Sequence, residues 1–450
     1  MFRAVILAML ILCWGPGSAQ NKPESSLTLI PPSPVTEQID LDIRAGIWNN
    51  SNLPRTFTAS FFLDDEKRET ALYQQVVTIK KQSSAGIKFR WPTKGRAGEH
   101  KIILVCRNGK NISRTERTIQ ILASDIRSTR KIDGAFMGFY HWSETEGRLW
   151  NADIKKMTDD QWRELVNAQH ELEMNIIVMQ EVFRNQEYEG KQHIDKEGYK
   201  GRAYYPSALF AARMPIAAHD PVEAVLSQAD KNGMQVFVAV GLYAWFDFTK
   251  GSREWHKKVA AELWRKYGHH PSFYGWYVSE EMDGGLGDSL QRRDIVAFFQ
   301  SFTKYVHGLT PDKPVMLATN SNNLRGAEAT YAKLLPNLDI LCTFGFHRMP
   351  KGDLTGEDAA HLLQKLCNHA STHFWMDMEV FDFAPDNALM PRQVKGLLSD
   401  LQRFPDFEKI ICYQFPGLLN SPAMSIQPGG EKTVELFLEY KKYLNDRRRQ

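Results

Sequence analysis

From Ser124 onward the chain repeats one pattern eight times: a short apolar run rich in β-branched and aromatic residues, then an amphipathic stretch with helical spacing. The runs are Gly134–Trp142, Asn175–Phe183, Met234–Trp245, Phe273–Ser279, Pro314–Thr319, Asp339–Phe346, Phe374–Met378 and Lys409–Phe415. A strand that is apolar on both faces and followed by a helix belongs in a parallel sheet covered by helices. Eight such units over roughly 315 residues predict a closed (β/α)8 barrel across residues 130–446.

The helix signals agree with that count. Thr158 and Gln161 have the spacing of a capping box ahead of a helix that reaches Met174. Asp220 and Pro221 stand as N-cap and first helical residue, with Val222, Val225, Leu226 and Ala229 as the inner stripe and Gly233 as the stop. Later helices are predicted over 252–267, 288–309, 326–335, 357–368, 391–401 and 431–444.

Residues 26–123 obey a different period. Ile39, Leu41, Ile43, Ala45 and Ile47 alternate with polar residues, as do Phe57, Ala59, Phe61 and Leu63, then Ile87, Phe89 and Trp91, then Ile102, Leu104 and Cys106. Asn108-Gly109 between two such runs predicts a tight hairpin. The expectation is an immunoglobulin-like β-sandwich domain with one apolar face per sheet, serving as a spacer, a support for a lid, or a carbohydrate-binding module.

Arg3, the apolar run 4–14 and the small residues before Gln20 predict a signal peptide over residues 1–19, cleaved after Ala19, and so a secreted or periplasmic protein. Lipidation at Cys13 is disfavoured by Leu12 before it. No other apolar segment is long enough to span a bilayer. A net charge of +3 argues against a nucleic-acid groove, and Arg447-Arg448-Arg449 reads as a solvated helix end. Cys106, Cys342, Cys367 and Cys412 have no metal-ligand spacing and read as buried free thiols.

Two of the barrel runs end on carboxylates. Glu280-Glu281 follows the fourth and Glu379 closes the seventh. Catalytic residues of such barrels sit at the C-terminal ends of their strands, so the pair is placed at one mouth. Cleavage of a glycosidic bond needs one protonated acid and one carboxylate, a division that only Asp and Glu in unlike surroundings can provide at one pH. No GxSxG, phosphate-binding or dinucleotide motif competes, and 284–287 reads as a flexible loop, so no cofactor is expected.

Arg265-Lys266-Tyr267-Gly268-His269-His270-Pro271, followed by Gly275-Trp276-Tyr277-Val278-Ser279-Glu280-Glu281, resembles the helix-to-strand segment of the clan of retaining TIM-barrel glycosidases. The resemblance implies Glu281 as acid/base and Glu379 as nucleophile. It also shows a departure, because Glu280 replaces the clan's Asn, and an ionised carboxylate cannot donate a hydrogen bond to the sugar. Either the sugar contact differs here or Glu280 is itself the acid. The layout of leader, sandwich and barrel is also similar to that of secreted, uncharacterised glycosidases of Bacteroidetes.

Other strand ends supply sugar-binding candidates: His141 and Trp142, Gln180 and Glu181, Tyr243 and Trp245, Asn320 and Asn322, His347, and Tyr413 and Gln414. His141, His347 and Glu181 match no ligand motif, so no metal is expected. The long segment 184–219, with Tyr188, Tyr199, Tyr204 and Tyr205, is expected to shape a cleft for a carbohydrate substrate. Two rival readings are a barrel that binds glycans without cleaving them and an inverting or lyase-type enzyme that uses the Tyr-rich segment.

Overall fold

A computed structural model describes residues 24–185, 201–210, 212–241 and 247–449. Strands β1 (Ser25–Ile30), β2 (Val35–Thr36), β3 (Asp40–Asn49), β4 (Arg55–Leu63), β5 (Ala71–Ile79), β6 (Ser83–Pro92), β7 (Gly98–Asn108) and β8 (Asn111–Leu122) form two sheets, ordered β1-β3-β6 and β2-β8-β7-β4-β5. Leu41, Ile43, Ala45 and Ile47 of one sheet and Phe57, Ala59, Phe61, Ile102 and Leu104 of the other share one buried core. Asn108 pairs with Asn111 across a two-residue loop, and Gly109 takes a φ of 57°, as a tight hairpin requires.

Eight parallel strands then close into a barrel: β9 (Gly134–Met137), β10 (Ile176–Met179), β11 (Gln235–Ala239), β12 (Phe273–Val278), β13 (Val315–Asn320), β14 (Ile340–Phe344), β15 (His373–Glu379) and β16 (Ile410–Tyr413). Each pairs with its neighbour in sequence, and β16 returns to β9. The helices that follow them are α1 (Asp159–Glu171), α2 (Pro221–Asn232), α3 (Lys250–Tyr267), α4 (Ser289–Leu309), α5 (Glu328–Leu334), α6 (Gly356–Ala370), α7 (Val394–Arg403) and α8 (Glu431–Arg448). Thr158 and Gln161 form the reciprocal cap of α1, and Asp220 caps α2, which ends at Gly233 with a φ of 67°.

The two bodies are joined by buried charge. In β3 every residue after Asp40 is buried, including Asp42 and Arg44, whose alternation with apolar residues reads as a solvent face. That face is instead pressed against the barrel. Arg44 Nη2 lies 2.5 Å from Asp339 Oδ1, and Asp42 gathers Lys88 at 2.7 Å, Arg90 at 3.0 Å and His373 at 3.4 Å. Tyr274 donates to the Leu29 carbonyl, and Thr28 donates to Asp312 at 2.6 Å. Tyr274, Asp339 and His373 all stand at the N-terminal ends of barrel strands. The sandwich therefore packs against the end of the barrel opposite Glu281 and Glu379.

Cys106, Cys342, Cys367 and Cys412 are buried free thiols. No helix among the described residues is long and apolar enough to cross a membrane.

Candidate active site

A cavity of about 360 Å³ opens at the C-terminal ends of the barrel strands, within the range of small-molecule sites. Strand parity decides what reaches it. Alternate residues of a strand face the same side, so Tyr277, Ser279 and Glu281 line the cavity together while Trp276, Val278 and Glu280 do not. Glu280 is fully buried on the other side, with an oxygen 3.5 Å from His256 Nε2 of α3. The predicted sugar contact at Glu280 is thus replaced by packing against a helix, and of the adjacent pair it is Glu281 that reaches the cavity. Gly241, after β11, lets the chain pass close to this strand, since a Cβ there would stand 2.1 Å from Ser279 Oγ.

Glu379, the last residue of β15, lines the same cavity. Arg348 donates through Nε to its Oε1 at 2.6 Å, and His347 Nδ1 lies 3.0 Å from its Oε2. Burial alone would push this carboxyl up, but His347 and Arg348 overcome it and hold the group below the ordinary range. Glu281 has no such support. Burial, together with the nearby Glu146 and Glu379 carboxylates, lifts it to about 8 despite Arg348. At neutral pH the two strand-end glutamates therefore differ, Glu281 being a carboxylic acid and Glu379 a carboxylate.

Trp142, Gln180, Asn320 and Tyr413 also line the cavity, as expected from their strand ends. Gln180 donates to the Tyr413 hydroxyl at 3.1 Å. His347 reaches the site through Glu379. His141 stays behind the wall, its Nε2 3.6 Å from Glu146 Oε2, and burial drives it down to about 3, so it is a neutral ring. Glu181 is sealed in a structural cluster with Arg184 and the Tyr204 hydroxyl. Gln414 is fully buried and donates to the Pro416 carbonyl. Neither Glu181 nor Gln414 lines the cavity, because each follows an inward-facing residue and takes the opposite side of its strand.

Tyr204 and Tyr205 are core residues rather than cleft residues, the latter bonded to Glu262 at 2.7 Å. Tyr188, Tyr199, Tyr243 and Trp245 lie outside the described residues. His141, His347 and Glu181 are held by separate partners and do not converge. Among the described residues the one grouping of three potential metal ligands is Glu223, His269 and His270, between α2 and α3.

Several lining residues escaped the sequence reading. Glu146, on the loop after β9, is lifted to about 7 by burial, against the pull of Arg348. Phe381 and Phe383 extend the aromatic wall just past Glu379, and Asp283 lies just past Glu281. Asp377 stands two residues before Glu379, and strand parity could have found it. Glu146 sits on a loop and Arg348 ends a short 3-10 turn after β14, and neither carries a comparable signal.

Residues 132–425 match a family model described as Domain of unknown function (DUF4434), which is well over half of the chain. No curated protein matches. Among solved structures, one described as a candidate alpha-L-fucosidase from Bacteroides thetaiotaomicron VPI-5482 is 17% identical with a TM-score of 0.52, covering 70% of this chain and 93% of that one. At that identity the likeness is one of fold. A beta-glucuronidase from Bacteroides uniformis is 14% identical with a TM-score of 0.40, over 87% of this chain and 45% of that chain, so the present chain spans less than half its length. A GH2 beta-galacturonidase from Eisenbergiella tayi is 9% identical with a TM-score of 0.41, over 94% and 73%. The last two superpose too loosely to bear on chemistry.

Proposed function

We propose, for a chain that belongs to the DUF4434 family, a glycoside hydrolase that works by retaining double displacement. One observation carries this reading: Glu281 and Glu379 share one cavity at the mouth of a closed barrel, and their surroundings drive their ionisation in opposite directions. In the first step Glu379 attacks the anomeric carbon, and Glu281 gives its proton to the leaving oxygen. In the second, Glu281 takes a proton from water, which releases the sugar from the Glu379 ester. Trp142, Phe381 and Tyr413 offer aromatic surface for the C–H faces of a sugar ring, and Gln180 and Asn320 offer amides for its hydroxyls.

The reading includes export, with residues 1–19 removed as a leader, and an immunoglobulin-like sandwich over 26–123 that anchors the barrel from below. N-terminal sequencing of protein recovered from the cell envelope tests the cleavage after Ala19.

The chemistry is tested by incubating the protein with activated 2-deoxy-2-fluoro glycosides and locating the ester by peptide mass spectrometry. An adduct on Glu379, with turnover abolished in Glu379→Gln, is the expected result. An adduct on another residue, or full activity of that variant, removes the assignment. Sugar binding that persists with no turnover of any glycoside would move the protein to the non-catalytic reading.

A further inference from the structure

Below Glu379, the same strand carries a group that the double displacement does not use. Trp375, Asp377 and Glu379 are alternate residues of β15 and face the barrel interior one above another. Trp375 meets Phe237 edge-on across the barrel at 5.7 Å and closes the interior beneath them. Asp377 lies on that floor, lines the cavity and is only 4% exposed. Its Oδ1 is sealed from solvent and has no hydrogen-bond partner. No ion pair reaches it among the described residues, and besides Glu379, Glu281 and Arg348 the groups that feel its charge are the phenols of Tyr277 and Tyr413 and the thiols of Cys342 and Cys412. A buried carboxyl left unpaired costs a fold free energy, and such a cost persists where a ligand completes the bonding.

The wider lining narrows the ligand. Among the described lining residues, Glu146, Glu281, Asp283, Asp377 and Glu379 carry carboxyls, and Arg348 carries the cation, which is already bonded to Glu379. A substrate carboxylate entering here would have to share Arg348 with Glu379 and stand among four further carboxyls, an arrangement that disfavours a second negative charge.

We propose that Asp377 is a specificity-determining residue that holds a hydroxyl of the sugar ring seated against Glu379, and that the site takes uncharged sugars and rejects uronic acids. Resting on the glycosidase reading above, this adds the substrate class and the residue that reads it. Burial, reinforced by Glu379 and Glu281 against the pull of Arg348, holds the Asp377 carboxyl well above the ordinary range and so favours its protonated form, which offers one O–H donor and one carbonyl acceptor. A sugar hydroxyl, itself donor and acceptor, satisfies both.

The test uses the full chain with Asp377→Ala and Asp377→Asn, assayed against aryl glycosides of neutral sugars, their single-deoxy analogues, and aryl glucuronides and galacturonides. Binding of the free sugars is measured in parallel by calorimetry on Glu379→Gln and on its double variants with each Asp377 change. Neutral glycosides are the expected substrates. Asp377→Ala should lose about 100-fold in kcat/KM with a raised KM, whereas Asp377→Asn, which keeps a donor and an acceptor, should stay within about tenfold of the parent. One deoxy analogue should cost the parent as much as the alanine substitution does and cost the alanine variant nothing further.

A preference for uronides, an unchanged kcat/KM in Asp377→Ala, or full discrimination of every deoxy analogue by that variant would overturn the proposal. So would failure of every neutral sugar to bind Glu379→Gln. Uronide hydrolysis defeats this inference and spares the hydrolase reading. Neutral-sugar binding that depends on Asp377 without any turnover does the reverse. Retained melting behaviour and the asparagine variant separate a lost contact from a lost fold.

Discussion

Asp377 and Glu379 stand two residues apart on β15 and line the same cavity, yet the first is raised well above the ordinary carboxyl range and the second is held below it. The difference lies in their partners: Glu379 has Arg348 and His347, and Asp377 has none among the described residues. Two like groups this close cannot both ionise cheaply, so the partners of Glu379 decide which one does. Glu281 is lifted as well, so of the three carboxyls at the ends of the fourth and seventh strands it is Glu379 that is held below the ordinary range.

Removing that support should be visible in the acidic limb of the rate profile. Arg348→Gln leaves Glu379 facing burial with less help, so its pKa rises and the fall in kcat/KM at low pH moves upward. A loss of about 10- to 100-fold at neutral pH is expected. Initial rates between pH 4 and 7 check this, and an unmoved limb would mean that the guanidinium does not set the charge of Glu379.

The alkaline limb belongs to Glu281, which must hold its proton to act as an acid. Activity is therefore present below about 8 and declines above it. Dinitrophenyl glycosides, whose leaving group needs no proton, should lose rate much less in Glu281→Gln than substrates with poor leaving groups. Equal losses for both kinds of substrate would contradict the acid role.

The same shift has a cost in stability, and its sign is fixed. Unfolded Glu281 ionises near 4.5 but the folded group holds its proton to about 8, so the folded state binds more protons in between and stability falls as pH rises through that window. Glu281→Gln should accordingly be more stable than the parent at pH 7, by roughly 1–3 kcal/mol, with the difference fading below pH 4.5. Thermal melts across pH 4 to 8 measure it, and a constant or reversed difference counts against a buried neutral acid.

At the far end of the barrel, Asp42 is the shared counter-charge of Arg44, Lys88, Arg90 and His373. Those partners outweigh burial and hold it below the ordinary range. Its contribution is present above the unfolded value of 3.8 and is lost as pH falls toward the folded one. Asp42→Asn should destabilise the chain by about 3–5 kcal/mol at pH 7, since it strands buried cations.

His373 behaves oppositely, because Glu408 and Asp42 raise it against the pull of burial. Its stabilisation is full below the unfolded value of 6.5 and is lost as pH rises through the folded value. The melting difference between the parent and His373→Gln should therefore be largest in mild acid and shrink toward alkaline pH. A difference that grows with pH would show that His373 is held neutral.

Local pattern in the sequence determined the eight strand and helix units, the caps at Thr158 and Asp220, the stop at Gly233 and the strand-end positions of Glu281 and Glu379, because periodicity and capping depend on residues a few positions apart. Parity also contained the separation of Glu281 from Glu280 and the alignment of Asp377 with Glu379, but which face of each strand turns inward is settled only when the barrel closes. Arg348 and Glu146 reach the cavity from the connections after β14 and β9, whose paths depend on what they pack against. Asp42 and Arg44 show the same limit, since in β3 they alternate with apolar residues as solvent-facing groups would. Only docking against Asp339 and His373 makes them a buried joint, because burial and ionisation are properties of everything folded around a residue and are written in no single segment of chain.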